Sequence, residues 1–113
     1  MDPRRPYIAT YIMASARNGT LYTGSTSNLP ARVWQHKSHS LTGFTDTYDC
    51  TNLVWFEHHA FIAEAINRER RIKKWLRAWK LALIEAENPD WLDLATDWYP
   101  THDPAWLPPE PTD

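Results

Sequence analysis

The sequence predicts an α+β fold in which a small three-stranded antiparallel sheet is flanked by helices. A strong hairpin signal, Asn18-Gly19, lies between two short segments of strand character near the N-terminus. An apolar run of strand length, Leu53–Phe56, follows in the middle of the chain. From Phe61 to about Glu87 there is no Gly or Pro, and residues that favour helices dominate. The length of 113 residues suits one domain.

The first two strands are predicted to run from Tyr7 to Ala14 and from Thr20 to Gly24. A two-residue turn between them requires positive φ at both turn residues and sets Tyr22 opposite Ser15. Side chains alternate between the faces of a strand, so Tyr11 and Tyr22 are expected on one face. In this register Tyr11 lies about 13 Å along the strand from the point opposite Tyr22. The rings must therefore lean toward each other, or the register differs; ordinary sheet packing is the alternative role for both.

A helix is predicted from Leu29 to His39. Asn28 supplies an N-cap and Pro30 occupies the first turn, where a proline is tolerated. Arg32 and His36 are four positions apart, so they lie on one face of this helix.

The third strand is predicted over Asn52–Glu57, antiparallel to the hairpin and ended by His58-His59. Adjacent histidines point in different directions on a regular element, so this pair is a poor metal site. The helical segment that follows is expected to bend near Trp75–Trp79, because a straight helix of that length would outrun a small domain. A short helix is predicted over Asn88–Ala95, with its first residue as N-cap and Pro89 in the first turn.

One position of the long helical segment breaks its pattern. Helical spacing places an apolar stripe at Ile62, Ala65, Ile66, Ile72, Leu76, Trp79 and Leu83. Glu69 falls on the same stripe. A carboxylate on a core-facing line is costly unless it is paired or binds a metal ion. The alternative to a metal is an ion pair with Arg32, or with Lys73 one turn along.

A basic block surrounds Glu69. Seven Lys and Arg fall within thirteen positions: Arg68, Arg70, Arg71, Lys73, Lys74, Arg77 and Lys80. Such a block is either the solvated side of an amphipathic helix or a surface that follows phosphates. Arg70, Lys74 and Arg77 lie off the apolar stripe and are expected to form one exposed row.

Charge is distributed unevenly along the chain. Residues 1–84 hold all twelve Lys and Arg against six acids, whereas residues 85–113 hold eight acids and no Lys or Arg. A basic body indicates a polyanionic partner such as nucleic acid, although an unevenly charged soluble surface is the alternative. Residues 1–6 are expected to be a mobile lead, and residues 97–113 a proline-rich acidic tail that is disordered or loosely docked. The tail is hypothesised to cover the basic face.

Cysteine usage and hydropathy indicate the compartment. Cys50 is the single cysteine, so the chain cannot form an internal disulfide, which is typical of a reduced, intracellular setting. No apolar run approaches twenty residues, so no membrane span is predicted. The N-terminus lacks the apolar core of a signal peptide. The predicted location is the cytoplasm, and the oligomeric state is not indicated.

Two short motifs, Ala9-Thr10-Tyr11 and Tyr22-Thr23-Gly24, resemble those of the GIY-YIG nuclease domain. The first motif keeps only its tyrosine, and the second keeps its tyrosine and glycine. The ordered set is more specific than either motif and consists of Tyr11, Tyr22, Gly24, Arg32, His36 and Glu69. The resemblance covers roughly residues 7–91. It is greatest to the small single-domain branch related to the N-terminal domain of the excinuclease ABC C subunit.

The resemblance implies hydrolysis of DNA phosphodiester bonds with one divalent ion, Mg²⁺ or Mn²⁺. Glu69 would hold the metal, since hard cations take oxygen ligands. Arg32 would contact the phosphate oxygens. Tyr22 or His36 would accept the proton of the attacking water, and Tyr11 would position the water or support Tyr22.

The resemblance also implies a GIY-YIG-like α/β sandwich over residues 7–96, with Gly24 as a structural position. The expected nucleic-acid contacts are Arg70, Lys73, Lys74 and Arg77. Related domains carry an asparagine after the glutamate helix, and Asn88 is the candidate for it in this chain. A role as a helix cap is the preferred interpretation of Asn88. Larger repair relatives have a lysine where this chain has Ser25.

These features leave two main functional hypotheses. The first is a small metal-dependent endonuclease acting on structured or damaged DNA, as in repair. The second is a nucleic-acid-binding accessory module whose catalytic site is weak or silent, which the degenerate first motif and the missing lysine favour. A structural interaction domain is a third class, and it predicts no salt-dependent binding to DNA.

Overall fold

The computed structural model describes residues 7–39 and 47–100. Three strands and three helices follow in the order β1 (Ala9–Ala14), β2 (Leu21–Thr26), α1 (Leu29–Lys37), β3 (Asn52–His58), α2 (Ile62–Lys73) and α3 (Arg77–Glu87). The predicted α+β class with a three-stranded antiparallel sheet is confirmed. Among the helices of the described ranges, none has the length and apolar character needed to cross a bilayer.

The central strand organises the sheet, whose order is β2-β1-β3 with both pairs antiparallel. All six residues of β1 are buried, because helices cover both faces of the sheet. One face carries Tyr11 and Met13 and packs against Leu29 and Val33 of α1. The opposite face carries Ile12 and Ala14 and packs against residues of α2 and α3. Hydrophobic burial on both sides therefore fixes where each face of β1 points.

The predicted register of the hairpin is wrong by two residues. Tyr22 faces Met13 rather than Ser15, and Tyr11 faces Gly24. The connection holds four residues instead of two, because the Ser15 N–H donates to the Thr20 carbonyl. Within this loop the Gly19 N–H donates to the Ala16 carbonyl and closes a turn. The structure thus resolves the 13 Å separation of the tyrosines through a different register, and not through leaning rings.

Side-chain contacts explain the longer turn. The Ser15 hydroxyl oxygen accepts a hydrogen bond from the Thr20 backbone N–H at 3.0 Å, so Thr20 is paired with Ser15, whereas a two-residue turn would pair it with Arg17. Asn18 adopts the left-handed conformation with φ of 58°. The Arg77 guanidinium donates to the carbonyls of Asn18 and Gly19 at 2.9 and 2.6 Å. A contact from α3, fifty-nine positions away for Asn18, therefore supports the turn.

The predicted start of α1 is confirmed, and its end comes two residues early. The Asn28 side chain accepts a hydrogen bond from the Ala31 N–H at 3.3 Å, and Pro30 occupies the first turn. The helix ends at Lys37, where the Ser38 N–H donates to the Trp34 carbonyl.

The long helical segment is two helices, as the expected bend indicated. The break falls at residues 74–76, where the N–H groups of Lys74 and Trp75 bond to carbonyls three residues earlier. The predicted continuous apolar stripe is wrong at its first residue, Ile62, which is 41% exposed, and again beyond this break. Leu76 is 64% exposed and Trp79 is 56% exposed, because α3 starts in a new direction and buries Ile84 instead.

The predicted short helix after Asn88 is not formed, and Asn88 ends α3 as its C-cap. Its buried amide donates to the carbonyls of Val54 and Leu92 at 3.1 and 2.9 Å, and its oxygen accepts from the Leu92 N–H at 3.0 Å. The amide thereby joins the helix end to β3 and closes a turn, which replaces the helical hydrogen bonds that the prediction required.

The segment after this turn is held by Asp93. Its carboxylate forms an ion pair with Lys37 and accepts the N–H of Leu53 at 3.1 Å. Further along, Trp98 packs edge-on against Phe56 at 5.7 Å, and the Tyr99 hydroxyl donates to the Pro30 carbonyl at 2.8 Å. The first residues of the expected tail thus contact the core. Residues 1–6 and 101–113 lie outside the described residues, and their assignments stay predictions.

The first prediction concerns Gly24. A Cβ placed there would lie 2.7 Å from both Cζ and Oη of Tyr11, closer than side chains approach one another. We expect Gly24→Ala to destabilise the fold by roughly 1–3 kcal/mol, because the buried ring has no space into which to move. Urea unfolding followed by tryptophan fluorescence measures this. The double variant with Tyr11→Phe should recover part of the loss, and an unchanged unfolding midpoint in Gly24→Ala would contradict the contact.

Candidate active site

Three rings from three elements meet beside the sheet: Tyr11 of β1, Tyr22 of β2 and His36 of α1. Their centroids lie 6.2 Å apart for the two tyrosines, 5.6 Å for Tyr11 and His36, and 5.2 Å for Tyr22 and His36. Tyr11 Oη and His36 Nε2 are joined by a hydrogen bond of 2.9 Å. The observed register and the absence of a side chain at Gly24 let the Tyr11 ring lie over β2. The structure therefore brings these three predicted residues into one cluster.

Burial determines the protonation of two of the three rings. Tyr11 is 1% exposed and His36 is 2% exposed. Desolvation lowers the pKa of His36 to about 4, and the positive charge of Arg32 adds to that effect. Desolvation raises the pKa of Tyr11, assisted by Tyr22 and by the negative charge of Glu69, and opposed by Arg32. At neutral pH Tyr11 is thus a phenol and His36 a neutral imidazole.

His36 retains unused hydrogen-bonding capacity. A neutral imidazole has one donor and one acceptor nitrogen, so Nδ1 takes the role opposite to the one that Nε2 takes toward Tyr11. Nδ1 is buried and makes no hydrogen bond with the residues that the structure describes. Nδ1 is therefore the imidazole nitrogen that remains for a further hydrogen bond.

Arg32 lies on α1 one turn before His36, and its charge acts on the pKa values of both Tyr11 and His36. Its side chain belongs to the same face of the helix as His36, as the spacing predicted. A guanidinium is permanently charged and offers several donors in one plane, which suits the recognition of a phosphate.

Glu69 is paired on both carboxylate oxygens. Oε1 accepts the hydroxyl of Ser25 on β2 at 2.5 Å, and Oε2 lies 2.6 Å from the ammonium of Lys73. The Glu69 side chain is 19% exposed and that of Lys73 is 50% exposed. The ion pair with Lys73 is the observed one of the two pairs that the sequence allowed. Glu69 remains close enough to the rings for its charge to raise the pKa of Tyr11.

The basic block divides into residues with different surroundings. Arg70 and Lys74 are exposed, as expected for an open row. Arg77 is also exposed, but it belongs to α3 and contacts the hairpin turn. Arg68 pairs with Glu57 at 3.2 Å. The expected nucleic-acid contacts thus comprise two exposed residues on α2 and its end, the half-exposed Lys73, and one residue anchored to the turn.

The three hydrogen bonds of the Asn88 side chain join it to Val54 and Leu92, and none of them joins it to the ring cluster or to Glu69. Its side-chain amide is 4% exposed and makes the three hydrogen bonds described above. These bonds account for the residue as a cap, and they occupy the groups that a role in the site would need.

Sequence analysis missed the contact between Ser25 and Glu69. It treated Ser25 only as the replacement for a lysine, because forty-four positions separate the two residues. No local signal connects them, since the bond depends on α2 packing across β2. Within the described parts of the chain, no group of three or more His, Cys, Asp or Glu forms a metal-binding cluster.

The fold and the ring cluster define a small α+β domain of the kind found in GIY-YIG nucleases. Residues 7–82 match the GIY-YIG catalytic domain, and the chain belongs to the GIY-YIG family. It is similar to a UPF0213 protein of Staphylococcus haemolyticus, with 34% identity over 73 residues that cover 65% of this chain and 89% of that protein.

Two further relatives are similar to this chain over 85 and 78 residues. A UPF0213 protein of Staphylococcus epidermidis is 32% identical over 85 residues, which cover 75% of this chain and 98% of that protein. One of Clostridium perfringens is 36% identical over 78 residues, which cover 69% and 83%. No solved structure matches the chain significantly. The similarity therefore establishes a nuclease family, and the relatives' names state no activity.

The second prediction concerns pH and His36. Its pKa of about 4 in the folded state lies below the ordinary value of 6.5. As the pH falls, His36 is therefore protonated in the unfolded chain before it is protonated in the folded protein. The free energy of unfolding decreases progressively from pH 6.5 to about pH 4 as a result. Between about pH 7.5 and pH 5 we expect the wild type to lose roughly 2 kcal/mol more than His36→Gln. Urea unfolding at both pH values measures the difference, and identical losses in the two proteins would contradict the burial of a neutral imidazole.

Proposed function

We propose that this protein is a metal-dependent endonuclease that hydrolyses phosphodiester bonds in DNA, with structured or damaged DNA as the substrate class. The observation that carries the proposal is the cluster of two phenols and one imidazole, on which the charges of Arg32 and Glu69 both act. Phosphodiester hydrolysis requires charge stabilisation at the phosphate and a group that takes a proton from water. The cluster offers groups suited to each task.

The neutral state of His36 supports its role as the proton acceptor, alone or through Tyr22. An imidazole that is unprotonated at neutral pH has the capacity to accept a proton, whereas Tyr11 keeps its own proton and cannot act as a base. Tyr11 instead holds His36 through the 2.9 Å hydrogen bond. Arg32 binds the scissile phosphate and balances its negative charge.

Glu69 fits one divalent cation, Mg²⁺ or Mn²⁺, as a single protein ligand. Its oxygens are hard donors, it is partly exposed, and one carboxylate together with water and substrate phosphate can satisfy such an ion. When bound, the ion supplies positive charge at the phosphate. The chain's own contribution is the orientation of the carboxylate, which the Ser25 hydroxyl fixes at 2.5 Å.

Lys73 is the cation that pairs in this structure with Glu69, the residue that would hold the metal ion. Its ammonium lies 2.6 Å from Oε2 and neutralises the carboxylate. Because the lysine is half exposed and its stem is flexible, we propose that it leaves Glu69 when a divalent ion binds and then contacts substrate phosphate. Lys73 on α2 thereby supplies the positive charge that larger repair relatives have from a lysine at the position of Ser25. Arg70, Lys74 and Arg77 extend this positive surface along the DNA.

A nucleic-acid-binding module with a silent site is the second candidate. The ion pair itself favours this alternative, because an ammonium already satisfies the carboxylate without a metal. The degenerate first motif points the same way. Both candidates predict binding that weakens with salt, and only the endonuclease predicts cleavage.

The third prediction tests the reaction. Glu69→Gln should lower cleavage of branched, nicked and single-stranded DNA by more than roughly 100-fold in Mg²⁺ or Mn²⁺, because the amide is a poor metal ligand. Binding to DNA should persist. Glu64→Gln, an exposed acid on the same helix, is the matched control and should leave cleavage unchanged.

The outcomes separate the hypotheses. Equal cleavage by Glu69→Gln and the wild type would show that the activity belongs to another protein. Salt-dependent binding without cleavage by the wild type would identify the silent module. No salt-dependent binding at all would leave a structural interaction domain.

The fourth prediction tests the competition at Glu69. Lys73→Met should tighten Mn²⁺ binding roughly two- to fivefold, because it removes a partly exposed ion-pair partner worth less than about 1 kcal/mol. Titration of free Mn²⁺ followed by electron paramagnetic resonance measures this without DNA or turnover. Lys74→Met removes the same charge at the next, exposed position and serves as control. Mn²⁺ binding that is unchanged or weaker in Lys73→Met would exclude the competition.

A further inference from the structure

The corner between α2 and α3 presents an apolar surface that the rest of the described chain does not cover. This tryptophan patch consists of Trp75, Leu76, Trp79, Ala82 and Leu83. Leu76 and Trp79 are 64% and 56% exposed, and a shallow groove is lined by the other members together with Trp79. The two indole rings meet edge to face at 6.3 Å. Large exposed aromatic groups of this kind mark an interaction surface.

The surroundings of the patch carry positive charge. Lys74 immediately precedes it and is exposed. Arg77 and Lys80 line a neighbouring groove together with the hairpin turn at residues 18–21. The exposed acids Glu85 and Glu87 lie at the far end of α3, so the positive charge is concentrated at the end that bears Trp79.

Trp75 is held in place from behind. The Arg68 guanidinium lies 5.8 Å from the ring centroid of Trp55 and 5.4 Å from that of Trp75. Arg68 also pairs with Glu57 of β3 at 3.2 Å. A cation fixed between two indoles restrains the nearer face of Trp75, so the patch has a rigid base and loses little freedom on binding.

We propose that the tryptophan patch is a stacking surface for unpaired nucleobases, so that the substrate carries a single-stranded segment beside the bond that is cut. Charge complementarity identifies the occupant, because an exposed indole flanked by cations fits a base and its phosphates. A base pair in a duplex hides its faces within the stack and cannot use this surface. The inference rests on the proposed function, and it assigns the class of nucleic acid that the same protein binds.

The patch is close to the site along the chain. Trp75 follows Glu69 by six positions, and the four steps to Lys73, where α2 ends, give a rise of about 6 Å. Lys73, which pairs with Glu69, lies between them on the last turn of α2. The proposed site and the patch are thus joined by the last turn of α2 and the break that follows it.

The fifth prediction uses three fluorescently labelled probes. They are an oligothymidine strand of about 20 nucleotides, an abasic strand of the same length and a duplex of that length, all longer than a typical single-strand site. Trp79→Ala should weaken binding of oligothymidine about tenfold, because it removes one stacking partner. Binding of the abasic strand and the duplex should change less than twofold. Fluorescence anisotropy measures all three affinities for each variant at one common salt concentration, and for the wild type also at a second, higher one.

Two variants serve as controls. Trp79→Phe keeps an aromatic face and should restore most of the oligothymidine binding. Phe61→Ala removes another exposed aromatic side chain, 69% exposed at the start of α2, and should leave all three affinities unchanged. Thermal unfolding of Trp79→Ala should match that of the wild type, because the ring contributes little to the core.

Each other outcome overturns the inference. Unchanged oligothymidine binding, or equal losses on all three probes, would exclude base stacking at Trp79. A wild-type dimer that Trp79→Ala dissociates, with oligothymidine binding unaffected, would assign the patch to a second copy of the chain. If the wild type binds the duplex and the abasic strand but Trp79→Ala is harmless, the stacking inference fails alone. If the wild type binds no probe in a salt-dependent way, the proposed nuclease function fails as well.

Discussion

The close approach of Tyr11 to the backbone at Gly24 is the contact on which the site depends. A side chain at position 24 would occupy the space of the phenol, so the ring lies over the edge strand only because a glycine faces it. From that position the hydroxyl reaches His36, and the two groups exclude water from each other. Desolvation then keeps both groups neutral by shifting their pKa values in opposite directions. Steric fit in the sheet thus determines the chemistry of the rings.

The charged part of the site follows a different principle. Glu69 is tolerated near the core because Ser25 and Lys73 each satisfy one carboxylate oxygen. Burial and charge are therefore balanced locally, and the carboxylate needs no metal to be stable in the fold. One lysine and one serine hydroxyl therefore account for the position of this carboxylate in the fold.

The basic segment serves several structural purposes at once. Arg68 lies between two tryptophans, Lys73 neutralises Glu69, and Arg77 supports the hairpin turn. Arg70 and Lys74 extend into solvent. Residues of like charge that are neighbours in the sequence thus have different partners and different exposure in the structure. The break before α3 has the same effect on the apolar residues, because it turns Trp79 outward while Ile84 is buried.

By itself the sequence determined the class of fold, the three strands, the cap of α1 and the division of the long helical segment. These features depend on local spacing, turn residues and helix propensity, which neighbouring positions specify. Through a resemblance of ordered motifs it also indicated the candidate site residues, of which the structure brings Tyr11, Tyr22 and His36 into one cluster. Only the tertiary structure decided the hairpin register, the partners of Glu69 and the exposed patch at Trp79. Asn88 shows the reason: its local sequence suits an N-cap, but bonds to β3 and to a following turn hold it as a C-cap. Such contacts join residues far apart in the chain, and their energies exceed the small local preferences from which a sequence is interpreted.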